Sequence, residues 1–393
     1  MSAERLARID ALMKEHVDRK QIAGAVTLLA RRGRLVHSGV YGVADIEGNR
    51  PMREDTIFRI ASMTKPITSV AVMMLYEEGR FLLGDPVSKY LPEFTHMMVL
   101  PADAPGGATP APARRPITIR HLLTHTSGLT YHWHPRVGRL LTDYRIPHGL
   151  GPSDFTLAEA MKRLALLPLV HHPGEKYEYG LSIDVLGRLV EVASGMTLDE
   201  FFRRRVFEPL GMRDTHFYLP AEKVARLAKV YGAGNKGALE PVGNQTVRAG
   251  EASGSVDYPY AGPKKYFSGG GGLSSTAPDY ARFAQMILNK GELDGKRLLG
   301  PRTVELMTMD HAGKIAGEGA PSFGLGFYVD TAERGFAELT SEGSHGWGGF
   351  WYTQFFISPR EEMIGVFMAQ LYPSGGLGLQ QQLKILAHQA IER

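Results

Sequence analysis

The stretch that decides the fold is residues 59–68, RIASMTKPIT, in which Ser62 precedes Lys65 by three positions. The pattern predicts a helix over 62–79, and its nearly all-apolar run VAVMMLY indicates that this helix is buried on most sides. Residues three apart share one helix face, so the Lys65 amine can reach the Ser62 hydroxyl. The N–H groups at the helix N-terminus suit a developing oxyanion, and burial favours the uncharged amine, which can act as a base. The alternative is that Ser62 only caps the helix while Lys65 is exposed, and this segment by itself leaves both open.

The flanking sequence predicts strands near both ends of the chain and helices in the middle. An N-terminal amphipathic helix is followed by two strands that meet at a hairpin turn, Arg32-Gly33. Helical patterns occur at 155–166, 183–194, 197–206 and 277–289, strand-like runs at 323–330, 350–357 and 362–370, and a last helix at 379–391. This order favours an α/β (α+β) protein in which one sheet is assembled from both termini.

The predicted domain division follows from that order. Residues 1–85 and 262–393 are expected to form the sheet domain, and residues 86–261 a mainly helical domain. Two long loops, 91–116 and 231–265, are rich in Pro, Ala or Gly and should shape the mouth of the cleft between the domains. A small-molecule site is expected in that cleft.

Composition limits the class of protein. The chain has 393 residues, 43% of them hydrophobic, so it can bury a large core. The net charge is +4 with the cations scattered, which favours neither a nucleic-acid partner nor a membrane surface. Cysteine is absent, and no signal peptide or membrane-spanning run is seen, so we expect a cytoplasmic protein.

Several other catalytic motifs are missing from the chain. No serine lies in G-x-S-x-G, and H-E-x-x-H, a Walker loop and a strand-linked G-x-G-x-x-G are also absent. The histidine pairs 132/134 and 171/172 have no obvious carboxylate partner nearby. We therefore expect no metal and no organic cofactor.

Further segments accompany Ser62 and Lys65 in a recognisable order: LLTHTSGL at 122–129, YGLSIDVLGRLVEVASGMTLDEF at 179–201, EPLGMRDTHF at 208–217 and GGGGLSSTAPDYARF at 269–283. Together they resemble the penicillin-binding-protein and β-lactamase superfamily of acyl-serine enzymes. The nearest resemblance is to the class C β-lactamase-like serine esterases, the family VIII carboxylesterases. This resemblance implies an antiparallel sheet flanked by helices, with an inserted mainly helical domain.

The same resemblance implies that Tyr179 is the second catalytic residue, which helps to activate the serine and relays its proton. In the lactamases the motif is Y-x-N, but here Leu181 stands at the asparagine position. A leucine cannot hydrogen-bond the side chain of a peptide or β-lactam substrate. Tyr177 is a rival two residues earlier, and the spacing to the following DVLG favours Tyr179.

The third lactamase motif, K-T-G, is absent, and Trp347-Gly348-Gly349 resembles the stretch that replaces it in the family VIII esterases. These three residues are predicted to bind substrate, because two glycines let a substrate lie close against the strand backbone. The resemblance implies that the N–H groups of Phe350 and Ser62 form the oxyanion hole. Loss of the lysine removes a cation for a substrate carboxylate, which indicates a neutral ester. Alternatively Trp347 only packs, or His345 occupies the motif position.

The sequence thus predicts a serine carboxylesterase that hydrolyses neutral, short-chain esters through an acyl-enzyme on Ser62. An acyltransferase, a weak β-lactamase or D-Ala-D-Ala peptidase, and a non-catalytic binding protein are the alternatives. His125 and Ser127 in LLTHTSGL are interpreted as structural. Tyr131, Trp133 and Trp351 are candidates for the lining of the acyl or alcohol pocket, with Tyr131 and Trp351 assigned to substrate binding; the alternative for each is core packing.

Overall fold

A computed structural model describes residues 1–100, 109–234, 238–244, 247–250, 252–316, 322–332, 335, 338–373 and 376–392. Parts of the two predicted long loops, including 101–108, lie outside the described residues. None of the described helices is long and apolar enough to cross a membrane.

The main sheet is antiparallel and joins the two ends of the chain. Strand Gly24–Arg31 pairs with Met363–Ala369 on one side and with Arg34–Asp45 on the other. This confirms the prediction of a sheet built from both termini. From one edge to the other the strands run Ser322–Phe323, Tyr328–Val329, His345–Gly349, Thr353–Ser358, Met363–Ala369, Gly24–Arg31, Arg34–Asp45 and Arg50–Pro51.

The N-terminal hairpin turns where the sequence predicts. Arg32 and Gly33 both have positive φ, 52° and 68°, as a two-residue turn with the right-handed strand twist requires. A glycine adopts such a φ without steric cost, so this dipeptide sets the register of the two strands.

Helices cover the sheet on both faces. The N-terminal helix and the last helix pack together with one face of the central strands in a separate apolar cluster. Helix Ala277–Leu288 packs against strands of the same sheet as part of the main core. In the part of the chain that the structure describes, the bounded α-helices are Ala3–Asp18, Thr64–Glu77, Ile119–Leu123, Gly138–Asp143, Leu157–Leu164, Ser182–Ser194, Leu198–Phe202, Glu208–Leu210, Ala221–Val224, Ala277–Leu288, Pro301–Thr308 and Leu379–Gln389.

Some element boundaries differ from the prediction. The helix predicted over 62–79 begins at Thr64, after a 3₁₀ turn at Ala61–Met63. The strand predicted over 350–357 is Thr353–Ser358, and the preceding strand His345–Gly349 was not predicted. Its sequence, HGWGG, carries three glycines and no alternation of apolar and polar residues, so tertiary pairing rather than local propensity makes it a strand.

Candidate active site

Ser62, Lys65 and Tyr179 meet in one hydrogen-bonded group. Lys65 Nζ donates to Ser62 Oγ over 3.0 Å, and the Tyr179 hydroxyl donates to the same oxygen over 2.8 Å. Lys65 is 1% exposed, so the alternative of a solvent-exposed lysine is excluded. The Ser62 side chain does not cap the helix either, since the cap residue is Met63 and makes no side-chain cap bond.

The turn before the helix holds Ser62 in place. Ala61, the residue before it, has φ 41°, a left-handed conformation that is strained for a residue with a Cβ. The Ile60 N–H donates to the Leu273 carbonyl over 3.0 Å and ties the turn to a neighbouring segment. The serine therefore sits at a sharp entry to the helix, where backbone N–H groups are not yet used by the helix.

Tyr179, and not Tyr177, reaches the serine. The half-buried Tyr177 ring packs on Phe323 and His125, with ring centroids 5.4 Å and 6.0 Å away. Residues two apart in an extended chain point to the same side, so the alternation of side chains does not by itself separate 177 from 179. The tyrosine whose hydroxyl reaches Ser62 is therefore Tyr179, the one that the DVLG spacing favours.

His125 supports the segment that carries Tyr179. Its carbonyl accepts from the Glu178 N–H over 2.7 Å, its Nδ1 lies 3.4 Å from the Gly180 nitrogen, and its ring packs on Tyr179 at 4.9 Å. Burial and then the charge of Lys65 hold the pKa of His125 well below its ordinary value, so the imidazole is neutral. It makes no hydrogen bond to Ser62 in the structure, in line with the structural interpretation.

A glycine loop, 269–272, holds the lysine from the other side. Lys65 Nζ donates to the Gly270 carbonyl over 2.7 Å, and Thr68 Oγ1 donates to the Gly269 carbonyl over 2.7 Å. A Cβ at Gly270 would lie 2.4 Å from a carboxylate oxygen of Asp184, so this close approach requires glycine.

Asp184 is a fully buried carboxylate that the sequence analysis did not assign to the site. It accepts from Ser268 Oγ over 2.6 Å and from the Tyr266 hydroxyl over 3.1 Å. Burial raises the pKa of Asp184, and the Ser268 hydrogen bond and the nearby charge of Lys65 oppose that rise. The signal in the sequence was an acidic residue in the apolar start of helix Ser182–Ser194.

The strand His345–Gly349 brings the third motif to the serine. A Cβ at Gly349 would lie 2.4 Å from the Ile60 carbonyl oxygen, so the strand end packs directly on the turn that presents Ser62. Phe350, the next residue, lines the same cavity as Ser62. His345 does not line this cavity; it is 2% exposed and its Nδ1 bonds the Gly343 carbonyl over 2.9 Å.

Ser62 and Tyr179 line a cavity of about 390 Å³. No Asp, Glu, Lys or Arg stands among the described residues that line it. Trp133, one of the aromatic residues that the sequence analysis names for the pocket, is 48% exposed and lies nearly parallel to the Tyr179 ring at 6.2 Å. The aromatic lining consists of Tyr131, Trp133, Tyr179, Tyr328, Trp347 and Phe350.

Trp351 and Gly349 do not fit the predicted substrate-binding role. Trp351 is fully buried in a separate apolar cluster with Ala61 and Tyr258 and does not line the cavity. Gly349 faces the Ile60 carbonyl, whereas Gly348 does line the cavity. Side chains alternate along this segment, so Gly348 and Phe350 face the cavity while Gly349 and Trp351 face packed protein.

No set of three or more His, Cys, Asp or Glu side chains is grouped for metal binding in the part of the chain that the structure describes. His132 of the 132/134 pair uses its Nε2 on the Ile146 carbonyl over 2.9 Å. His171 of the other pair uses its Nδ1 on the His172 carbonyl over 2.9 Å.

The chain is similar to several known proteins over most of its length. The family model described as Beta-lactamase matches residues 9–389. Protein Rv1367c of Mycobacterium tuberculosis is 36% identical over 92% of this chain and 89% of its own. Esterase EstB of Burkholderia gladioli is 33% identical over 99% of this chain and 96% of its own. Among solved structures, EstCE1, "a hydrolase with promiscuous acyltransferase activity", superimposes with a TM-score of 0.85 at 31% identity and 98% coverage of both chains.

Proposed function

This chain belongs to the beta-lactamase family, and we propose that it is a serine carboxylic ester hydrolase that acts through an acyl-enzyme on Ser62. The main support is that Lys65 and Tyr179 share one hydrogen-bond acceptor, the Ser62 oxygen. Ser62 Oγ accepts hydrogen bonds from both Lys65 and Tyr179 and lines a cavity open to a small molecule. A hydroxyl held between two proton-exchanging groups is the arrangement that nucleophilic catalysis needs.

In this mechanism the Ser62 hydroxyl loses its proton to the Lys65–Tyr179 pair as its oxygen bonds to the ester carbonyl carbon. The carbonyl oxygen becomes an oxyanion, which the N–H groups of Ser62 and Phe350 stabilise. The tetrahedral intermediate collapses, the bond to the alcohol oxygen breaks, and Tyr179 or Lys65 returns the proton to that oxygen. A water then attacks the acyl-enzyme by the same steps and releases the acid.

Neutral, short-chain esters are the proposed substrates. Trp347 stands at the cavity where the lactamases carry a lysine, and the described lining offers no cation for a substrate carboxylate. Leu181 is fully buried, so no amide is presented in its place to a peptide or β-lactam side chain. The aromatic lining favours an apolar acyl or alcohol portion.

The direct test is to locate the reactive serine. A fluorophosphonate should add its phosphoryl group to the wild-type enzyme, and peptide mass spectrometry should map the adduct to Ser62. Ser62→Ala and Lys65→Ala should each lower kcat for p-nitrophenyl butyrate by about 10³-fold or more. Ser127→Ala is the matched control, since this buried serine bonds Ser182 over 2.9 Å. An adduct on another serine, or activity in Ser62→Ala close to that of wild type, would refute the proposal.

Acyl transfer is a second candidate, because EstCE1 is described as having acyltransferase activity and other relatives are named acyltransferases. The same acyl-Ser62 would react with an alcohol instead of water. Product ratios measured with and without added butanol distinguish the two: a transferase forms the new ester at a rate that exceeds hydrolysis at low alcohol concentration.

A further inference from the structure

One buried amide side chain lies between the two segments that carry the proposed oxyanion donors. Gln370 directly follows strand Met363–Ala369 and is 5% exposed. It does not line the cavity of Ser62, so it contacts no substrate there. Any effect of Gln370 on the reaction must therefore pass through the residues to which it is hydrogen-bonded.

The first of these residues is Arg59, three positions before Ser62. The Arg59 N–H donates to Gln370 Oε1 over 3.1 Å, and Gln370 Nε2 donates to the Arg59 carbonyl over 3.2 Å. A strand residue presents its N–H and C=O to the same side, where a neighbouring strand normally pairs with both. On its other side Arg59 faces Ser274 of a paired strand, so the Gln370 amide takes the place of a second neighbouring strand.

The Arg59 side chain strengthens the same contact. Arg59 is 3% exposed, and its Nη1 donates to Gln370 Oε1 over 3.2 Å and to the Ala228 carbonyl over 2.7 Å. Burial lowers the pKa of Arg59 to about 10, so the guanidinium stays charged at neutral pH. Hydrogen bonds from a charged donor are stronger than those from a neutral one, which adds to the hold of Gln370 on Arg59.

On its other side, the segment 370–371 holds the turn that contains Phe350. The Leu371 N–H donates to the Trp351 carbonyl over 3.1 Å, and Gln370 Nε2 lies 3.5 Å from the same oxygen. Trp351 directly follows Phe350 in the chain. The segment 370–371 therefore connects the serine turn to the backbone next to the second proposed oxyanion donor.

The serine turn needs such support because Ala61 within it is strained, with φ 41°. A strained conformation persists only where the surrounding contacts over-determine it. Ala61 and Trp351 belong to one apolar cluster, and Gln370 bonds the backbone on the Ala61 side of this contact. Without these bonds the turn can relax, and relaxation at Ala61 moves the N–H of the next residue, Ser62.

We propose that Gln370 is a positioning residue for the oxyanion hole, which sets the separation of the Ser62 and Phe350 N–H groups through its bonds to Arg59. This inference rests on the proposed esterase function and adds to it a residue outside the cavity on which stabilisation of the transition state depends. The oxyanion forms only as the serine attacks, so a shift of its donors affects the transition state more than the bound ester.

Two substitutions of Gln370 test the proposal. Gln370→Met keeps the length of the side chain and removes its hydrogen bonds to Arg59. Gln370→Glu keeps the oxygen that accepts from Arg59 and loses the donor to the Arg59 carbonyl. Thr27→Val is the matched control, since Thr27 is fully buried in strand Gly24–Arg31 of the same sheet, is hydrogen-bonded to His37 Nε2 over 2.8 Å and does not line the cavity.

Each variant is characterised by kcat and KM for p-nitrophenyl butyrate, by the inhibition constant of butylboronic acid, and by its melting temperature. A boronic acid adds to a reactive serine as a tetrahedral adduct, and one of its oxygens takes the place of the oxyanion. Its inhibition constant therefore reports the oxyanion hole, whereas the melting temperature reports the stability of the fold.

We expect both Gln370 variants to lose about ten- to a hundredfold in kcat while KM stays within about threefold. The inhibition constant of the boronic acid should rise by a similar factor, because it depends on the same N–H groups. Thr27→Val should lower the melting temperature and keep kcat and the inhibition constant within about threefold of wild type.

A folded Gln370 variant whose kcat and inhibition constant both stay within about threefold of wild type would overturn the inference. So would a loss of kcat in Thr27→Val as large as in Gln370→Met at an equal drop in melting temperature, because the role of Gln370 would then be only structural. Activity in Ser62→Ala close to that of wild type would instead refute the proposed function, which is a separate result.

Discussion

Gly349→Ala adds one methyl group at the contact between the oxyanion strand and the serine turn. The new Cβ would lie 2.4 Å from the Ile60 carbonyl oxygen and 2.2 Å from Thr353 Oγ1. The threonine hydroxyl can rotate away, but the carbonyl is backbone. The strand and the turn therefore cannot both keep their present positions.

The expected loss of kcat follows from the distance between the new Cβ and the Ile60 carbonyl oxygen. Cβ atoms in real structures essentially never come closer than 3.0 Å, so the two backbones must separate by at least about 0.6 Å. Ile60 stands two residues before Ser62, and Gly349 directly precedes Phe350. The separation therefore moves one proposed oxyanion donor relative to the other. Displacing a donor by this much costs about 10²-fold in kcat.

Steady-state hydrolysis of p-nitrophenyl butyrate, with a thermal melt of each variant, measures the effect. Gly348→Ala is the matched control on the same strand, because its new Cβ would have its nearest contact at 3.5 Å, an ordinary distance. Neither residue has a φ in the left-handed region, so alanine is compatible with the backbone at both. We expect Gly348→Ala to keep kcat within about threefold and to change mainly KM, since Gly348 lines the cavity.

The reasoning is refuted if Gly349→Ala keeps kcat within about threefold of wild type while it remains folded. Equal losses in kcat for the two alanine variants would also contradict it, because the contact to Ile60 would then not be the cause. A lower melting temperature with unchanged kcat would show that the packing matters for stability and not for the oxyanion.

Two further predictions test other parts of the structure. Tyr179→Phe removes the hydroxyl that donates to Ser62 and should lower kcat by about 10²-fold or more, whereas Tyr177→Phe should stay within about threefold in the same assay; a reversed order would contradict the assignment. The Arg226 and Lys223 side chains hold the pKa of Asp214 down to about 2, so its ionised form stabilises the fold above the ordinary carboxyl pKa of about 4 and that stabilisation is lost as pH falls toward 2. Chemical denaturation of Asp214→Asn between pH 4 and 2 should accordingly show a shallower fall in the free energy of unfolding than wild type, and equal slopes would contradict this.

The sequence by itself identified the family and the Ser62–Lys65 pair that we propose as nucleophile and base. The three-residue spacing of Ser62 and Lys65 on a helix is a local property, because one turn of helix brings the two side chains to one face. The hairpin at Arg32-Gly33 was likewise local, since the turn dipeptide selects its own backbone conformation. The absence of an Asn at 181 and of K-T-G could be read directly from the residues and shifted the expected substrate.

Only the tertiary structure decided which residues complete the site. Trp351 and Trp133 are both tryptophans in irregular segments, yet the first is fully buried and the second opens to the cavity. Asp184 joins the site through Ser268 and Tyr266, more than 80 positions away in the chain. Contacts between segments so far apart leave no periodic pattern, because they depend on how sheet, helices and glycine loop pack.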